Sequence, residues 1–384
     1  CNDYIQKGFS DAVTSKTGLL IDPYFSATKL MWLQQNVPSV AAAIKNGAAY
    51  FGTVDTWLLY QLTNGASYAT DITNASRTLL FNLEQKIWDD ALIADFGLTG
   101  IQLPAIQASA SMFGTTNLFD LLDHPIAITA MIGDSHAAAF GEGCFEKGTA
   151  KATLGTGCSL LMHVGDKPVA SNNGMVSTVC WSTENQTSYA LEGVIVSCGS
   201  TIEWLKNDVG LFTDSKETES MALSVPDNNG VYIVPAFSGM GLPHWQMNRR
   251  ASIEGLTFSA TKHHIVRAAL ESITYQIADV IVAMEKDANT DLVSLQVDGG
   301  ISGNSFVVQW LSDVLQKEVH TIGMTDISAL GAAYLAGLKA GVFENIEALK
   351  KLNNLTKTYT PNANNMAAKK GYEGWQEIIN SYEK

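Results

Sequence analysis

Several things are scarce in these 384 residues, and each scarcity closes off a class of function. Cysteine occurs five times, as Cys1, Cys144, Cys158, Cys180 and Cys198. That is an odd number without a CxxC pair, so the thiols read as reduced, in a cytoplasmic protein. Basic residues are outnumbered 24 to 38 by acidic ones. The resulting net charge of −14 repels phosphate backbones and argues against a nucleic-acid surface, leaving open a compact anion held by backbone N–H groups. No apolar run approaches the ~20 residues of a membrane span, and no charged segment followed by an apolar one opens the chain as a signal peptide would. A soluble protein is expected. Neither GxxxxGK[ST] nor GxGxxG occurs, so the P-loop and dinucleotide fingerprints are absent. The opening residues CNDYIQKGF include no Met, and an upstream segment is expected.

What is present is a globular composition, 46% apolar and 16% charged, over a length that allows two domains or more. DPYFSATKLMWLQQNV (22–37) reads as a helix after a loop, with Leu30, Trp32 and Leu33 at helical spacing. Residues 73–98 predict a short strand around Thr78–Phe81, a turn and an amphipathic helix. PIAITAMIGD (125–134) is an apolar run of strand length that ends on Asp134. From about residue 148 the texture turns to strands separated by glycine turns. Residues 261–286 place Ile265, Ala268, Ala269, Ile273, Ile277, Val280, Ile281 and Met284 on one side of a long helix. Two strand–turn–helix units follow, over 292–315 and up to SALGAAYLAGLKAG (328–341), whose small residues suit close packing against a sheet. Strands alternating with helices imply α/β layers. With no low-complexity linker in sight, the looser stretch FGEGCFEKG places a domain boundary near residues 140 to 150.

Three stretches could carry chemistry. LGTGCS (154–159) and VDGGISGN (297–304) each follow an expected strand, and glycine there lets the backbone adopt φ > 0 and bring N–H groups against a phosphate or nucleotide. Either could equally be a plain tight turn. Asp134 stands at a strand's carboxyl end, where open α/β sheets bind ligands and an acid can accept a proton or face a metal. It could also be a helix N-cap for the SHAAAF that follows. His136 and the pair His263–His264 lie in helical contexts without metal-ligand spacing and read as packing or surface residues. Trp32, Trp245 and Trp310 read as core or pocket walls.

Taken together, YFSATKLMWLQQN (24–36), FGTVDTWLLYQLTNG (51–65), TNASRTLLFN (73–82), NGVYIVPAFSGMGLPHW (229–245), ASIEGLTFSATKHHIVRAALE (251–271) and ALGAAYLAGL (329–338) resemble, in order, the signatures of the FGGY family of carbohydrate kinases. The likeness is strongest to its glycerol-phosphorylating members. It implies an α/β, actin-like ATPase (ribonuclease H-like) fold, in which two domains with mixed sheets flanked by helices close around a cleft. Residues 1–143 would form the substrate side and residues 144–384 the nucleotide side. It implies ATP as phosphoryl donor with magnesium, whose ligands are not assigned, and a small polyol or sugar as acceptor. Neither nucleic acid nor membrane is an expected partner, and a homo-oligomer is left open.

Carried over residue by residue, the resemblance makes Asp134 the general base. An alcohol's pKa is far above neutral, so a carboxylate must take its proton as phosphoryl transfer proceeds. Gly155 and Thr156 would meet the phosphates; Gly199, Glu203, Gly300 and Asn304 would surround the adenosine; Tyr24 would lie beside the substrate. The family's opening phosphate hairpin and its Arg-Glu substrate motif fall upstream of the residue matching Cys1. Glycerol-phosphorylating members usually carry Gln after the aspartate and Phe after GTGC, where this chain has Ser135 and Ser159. Both shorten side chains lining the polyol pocket, so a tetritol or a pentulose such as xylulose or ribulose is an alternative acceptor. A non-catalytic nucleotide-binding protein on the same fold is a second alternative, and retention of Asp134, Tyr24 and both glycine turns together speaks against it.

Overall fold

The computed structural model describes residues 1–324, 326–352 and 355–382. The elements of the first 62 residues are all helices: α1 (Asn2–Gln6), α2 (Ser10–Thr17), α3 (Ser26–Asn36), α4 (Pro38–Lys45) and α5 (Val54–Leu62). Short elements then alternate: β1 (Ala69–Asp71), α6 (Ile72–Ala75), β2 (Phe81–Asn82), β3 (Ile87–Trp88), α7 (Asp90–Asp95), β4 (Ala105–Gln107), β5 (Ala110–Thr116), β6 (Ile126–Ala130) and α8 (Asp134–Gly141). The second half runs β7 (Thr149–Leu154), β8 (Cys158–Gly165), β9 (Val176–Ser182), β10 (Thr187–Ile195), α9 (Gly199–Asn207), α10 (Glu217–Leu223), β11 (Tyr232–Val234), β12 (Ser252–Glu254) and α11 (Lys262–Ala288). It closes with β13 (Ser294–Asp298), a 3-10 turn over Gly300–Gly303, α12 (Ser305–Leu315), β14 (Glu318–Ile322), α13 (Ile327–Lys339), α14 (Ile346–Lys350), β15 (Leu355–Tyr359) and α15 (Met366–Asn380).

The centre of the second half is a seven-stranded mixed sheet in the order β15-β14-β13-β7-β8-β10-β9. In it β13 runs parallel to both β7 and β14, and the remaining pairings are antiparallel. Period-two alternation splits each strand between two cores. In β8, Cys158, Leu160, Met162 and Val164 face a core shared with α9 to α12, while Leu161 faces one built from α8 and α13. The first half carries three two-stranded pairings, β1 with β4, β2 with β3, and β5 with β6, and its own apolar cluster around Leu19, Phe25, Ile44, Leu92 and Phe96.

The long helix forms as the sequence implies, but burial is not confined to one side. α11 lies between the sheet and a second layer of α10, α12, α15 and β11, so Val266 through Ile281 are buried without a break. Residues 73–98 depart further from expectation. Asp71 caps a short α6, the strand falls at Phe81–Asn82 as one arm of a hairpin, and α7 is a single capped stretch begun by Asp89. The small residues of α13 pack most closely against α8, with β5 and β6 alongside, rather than primarily against a sheet. A Cβ on Gly331 would collide with the Ala137 carbonyl oxygen, so the two helix backbones touch. Trp32 and Trp245 are not core residues: they are 59% and 47% exposed. Trp310 is half-buried and packs under Arg267. Among the described residues no helix is long and apolar enough to cross a membrane.

Candidate active site

Two parallel neighbours set the nucleotide side. β7 and β13 are in register from Thr149↔Ser294 to Thr153↔Asp298, so their carboxyl ends deliver LGTG and DGG side by side, although about 140 residues separate them in sequence. Strand ends of this kind are where α/β sheets hold ligands. The first turn is closed by Gly155 N–H donating to Gly157 O at 2.9 Å, and the head of α9 folds back on it, with Gly199 N–H on Gly155 O at 2.9 Å and Ser200 N–H on Thr156 O at 3.0 Å. A Cβ on Gly199 would sit 2.6 Å from Gly155 O, so glycine is required for this approach. Between the turns lies a cavity of about 580 Å3 lined by Gly155, Thr156, Gly199, Glu203 and Gly300 among others. A second of about 280 Å3, reaching Asn304, shares the wall of Ile202, Ser215, Gly300 and Ile301. All six residues expected at the nucleotide therefore line one pair of adjoining cavities.

One part of the expectation is corrected: Gly155 and Gly300 do not have positive φ, and among the glycines of the two turns only Gly299 does, at 87°. The value of glycine at position 300 is room, since a Cβ there would meet nothing within 4 Å. Glu203 is exposed at the rim. Ser215 and Asn207 donate to its carboxylate at 3.0 and 3.1 Å, and these bonds, foremost that of Ser215, hold its pKa down. Asn304 caps α12 through its side-chain oxygen and donates from its amide nitrogen to Thr218 Oγ1 at 3.2 Å. The open turn at Gly155 and the bare Gly300 form a cradle that fits a nucleotide. For magnesium, no group of three His, Cys, Asp or Glu side chains occurs among the described residues.

On the acceptor side, Asp134 is the first residue of α8, and Gly133 holds the cap position without a side-chain bond. Asp134 is thus not an N-cap. Its carboxylate is exposed and accepts the Ser135 N–H at 2.7 Å, while its carbonyl accepts from Ser328 Oγ at 2.9 Å. The Ser135 hydroxyl oxygen is buried with no hydrogen-bond partner among the described residues. Tyr24 lies in the loop before α3, 69% exposed and edge-on to Phe25. Ser159 is half-buried in β8 between Thr153 of β7 and Val194 of β10. Among the described residues no hydrogen bond joins Tyr24 or Ser159 to Asp134.

Several groups here were not singled out from sequence. Arg77, inside TNASRT, lies over the rings of Tyr24 and Phe25 at 5.8 and 5.2 Å and pairs with Glu192 of β10. Lys151 is buried in β7 and donates to Thr153 Oγ1 at 2.9 Å. Burial, aided by the charges of Arg77 and Lys151, pushes the His136 pKa down to about 3, so the imidazole is neutral near Thr178 Oγ1. Burial and the nearby Asp298 carboxylate push Glu142 up to about 8. His136 is a packed residue, His263 bonds Ser224, and His264 completes the α11 capping box. All five cysteines are free thiols.

A mixed sheet flanked by helices, with two glycine turns meeting at the carboxyl ends of parallel strands, is the actin-like ATPase arrangement. Comparison with known proteins makes this specific: the chain belongs to the FGGY family of carbohydrate kinases, its N-terminal domain matching residues 1–141 and its C-terminal domain residues 150–340. It is accordingly an ATP-dependent carbohydrate or polyol kinase. It is 44% identical to a glycerol kinase of Fusobacterium nucleatum over 373 residues, 97% of this chain and 75% of that protein. The crystal structure of Plasmodium falciparum glycerol kinase with ADP superimposes with a TM-score of 0.93 at 34% identity, covering 100% of this chain and 77% of that one. A xylulose kinase of Lactobacillus acidophilus reaches a TM-score of 0.87 at 22% identity, over 99% and 76% of the two chains, a likeness of fold alone.

Proposed function

We propose that this protein transfers the γ-phosphoryl group of ATP to a hydroxyl of glycerol, with Asp134 as general base. The observation that carries the reading is the paired cavity at the ends of β7 and β13, which all six expected nucleotide residues line. The Gly155–Thr156 turn receives the phosphates, and Gly199, Glu203, Gly300 and Asn304 surround the adenosine. Asp134, not engaged as a cap, accepts the hydroxyl proton as the new oxygen–phosphorus bond forms. Tyr24, Ser135 and Ser159 line the acceptor side. Magnesium would be held through Asp298 at the end of β13, and when bound it would neutralise charge on the transferring phosphoryl group. In this reading residues 1–143 supply the polyol side and residues 144–384 the nucleotide side, in a cytoplasmic enzyme.

The choice of glycerol is supported by the names of relatives that are 41–44% identical, whereas the xylulose kinase of Lactobacillus acidophilus is 22% identical. The test is ADP release by the full-length protein on glycerol, erythritol, xylulose and ribulose, with Asp134→Asn alongside. Glycerol should give the highest kcat/KM. Asp134→Asn should lose about 10²- to 10⁴-fold in kcat while binding ADP as the parent does. Near-normal turnover by that variant would end the assignment of the base.

A further inference from the structure

We propose that Thr73, held in turn by the buried carboxylate of Asp71, is a positioning residue that sets the backbone on which the general base stands. This deepens the reading of Asp134 as base and rests on it. Asp71 and Thr73 are fully buried, each 0% exposed, at the junction of β1 and α6. The Asp71 carboxylate accepts from the backbone N–H groups of Thr73 and Asn74 at 3.0 and 2.9 Å, from the Asn74 amide at 2.7 Å, from Ser109 Oγ at 2.8 Å and from Thr73 Oγ1 at 2.8 Å. Capping a four-residue helix needs only the first two. The others tie Asp71 to Ser109, the residue before β5, and fix the direction of the Thr73 hydroxyl.

That direction matters because a hydroxyl has one proton. With it given to Asp71, the lone pairs of Thr73 Oγ1 are left to accept, and the Gly133 N–H donates to them at 2.9 Å. Gly133 is the cap residue of α8 and has no side chain with which to hold itself. It directly precedes Asp134, whose carbonyl oxygen is held from the other side by Ser328 Oγ at 2.9 Å. One tether therefore comes from the first half of the chain and one from α13, and the main chain of Asp134 is fixed between them while its carboxylate stays exposed. A shift of ~1 Å in a reacting group can cost ~100-fold in rate, and the Thr73 bond is the one that sets where the chain enters α8.

The experiment is a double-mutant cycle in the full-length protein, with Thr73→Val and Thr73→Ser, each alone and with Asp134→Asn. Thr73→Val keeps the shape and removes the hydroxyl. It should lower kcat roughly 10- to 100-fold while leaving the KM for ATP and the binding of ADP within about threefold. Thr73→Ser should restore kcat to within about threefold of the parent. In the Asp134→Asn background, Thr73→Val should have no further effect on residual turnover, because Thr73 acts through Asp134. If Thr73→Val does not fold, Thr73→Ala replaces it in the same cycle. Thr73→Val with kcat within threefold of the parent, or with the same loss on top of Asp134→Asn, overturns the proposal. Full turnover by Asp134→Asn alone overturns instead the assignment of the base.

Discussion

Gly299 and Gly300 are adjacent, yet the structure gives their substitution opposite consequences. At Gly300 a Cβ meets no heavy atom within 4 Å and φ is not positive, so Gly300→Val should leave the fold intact. Its branched side chain would stand in the wall shared by the cavities of about 580 and 280 Å3, where the nucleotide is proposed to lie. Forcing extra methyl groups into an occupied site costs about 1–3 kcal/mol, which corresponds to an ADP affinity lower by about 5- to 150-fold. At Gly299 φ is 87° and a Cβ would sit 2.6 Å from Leu154 O. Gly299→Ala should therefore carry the left-handed penalty of about 1–2 kcal/mol together with displacement of the Leu154 carbonyl at the end of β7. A chain of this size loses about 2–4 °C in Tm per kcal/mol or somewhat less, so this variant should melt several degrees lower. Titration calorimetry with ADP and scanning calorimetry on both variants separate the two outcomes. Gly300→Val binding ADP as tightly as the parent, or melting as low as Gly299→Ala, would refute the reasoning.

The acceptor side and one buried acid give two further tests. Ser135→Gln with Ser159→Phe should raise the ratio of kcat/KM for glycerol to that for erythritol or xylulose by about 10- to 200-fold, the range one hydrogen bond or a few buried methylenes supply; an unchanged ratio would mean these serines do not set acceptor size. Glu142 holds its proton in the folded chain up to about pH 8 but releases it above about 4.5 when unfolded, so between those values the folded state binds more protons and stability falls as pH rises, by at most about 1.4 kcal/mol per unit. Asp71, pushed up to about 6 by burial, acts in the same direction below pH 6. Glu142→Gln should therefore flatten the decline of Tm between pH 6 and 8, and parallel Tm profiles for variant and parent would count against a protonated Glu142.

Local pattern alone revealed the strands of the second half, the long α11, the two glycine turns and an aspartate at the end of an apolar run. These are features one stretch of chain expresses by itself: alternation of two for a half-buried strand, helical spacing for a buried face, glycine where the backbone turns. The pattern failed where neighbours decide. β2 and β3 are two residues each, too short to show a period, and α6 exists because Asp71 caps it under cover of Ser109. Trp32 is large and apolar but faces outward, since α3 buries its other side, at Ala27. Arg77 stood in a quoted motif, yet only the approach of Glu192, 115 residues away, marks it as a bridge to β10. The small residues of α13 announced close packing but pointed to a sheet, and the actual partner, α8, depends on two helices meeting backbone to backbone at Gly331. Residue order alone settles the chemistry available: an acid after a strand, and glycines where a nucleotide could approach. Adjacency comes only with folding, because the order of strands in the sheet and the bond from Gly133 N–H to Thr73 join segments tens to hundreds of residues apart, and no local period carries that information.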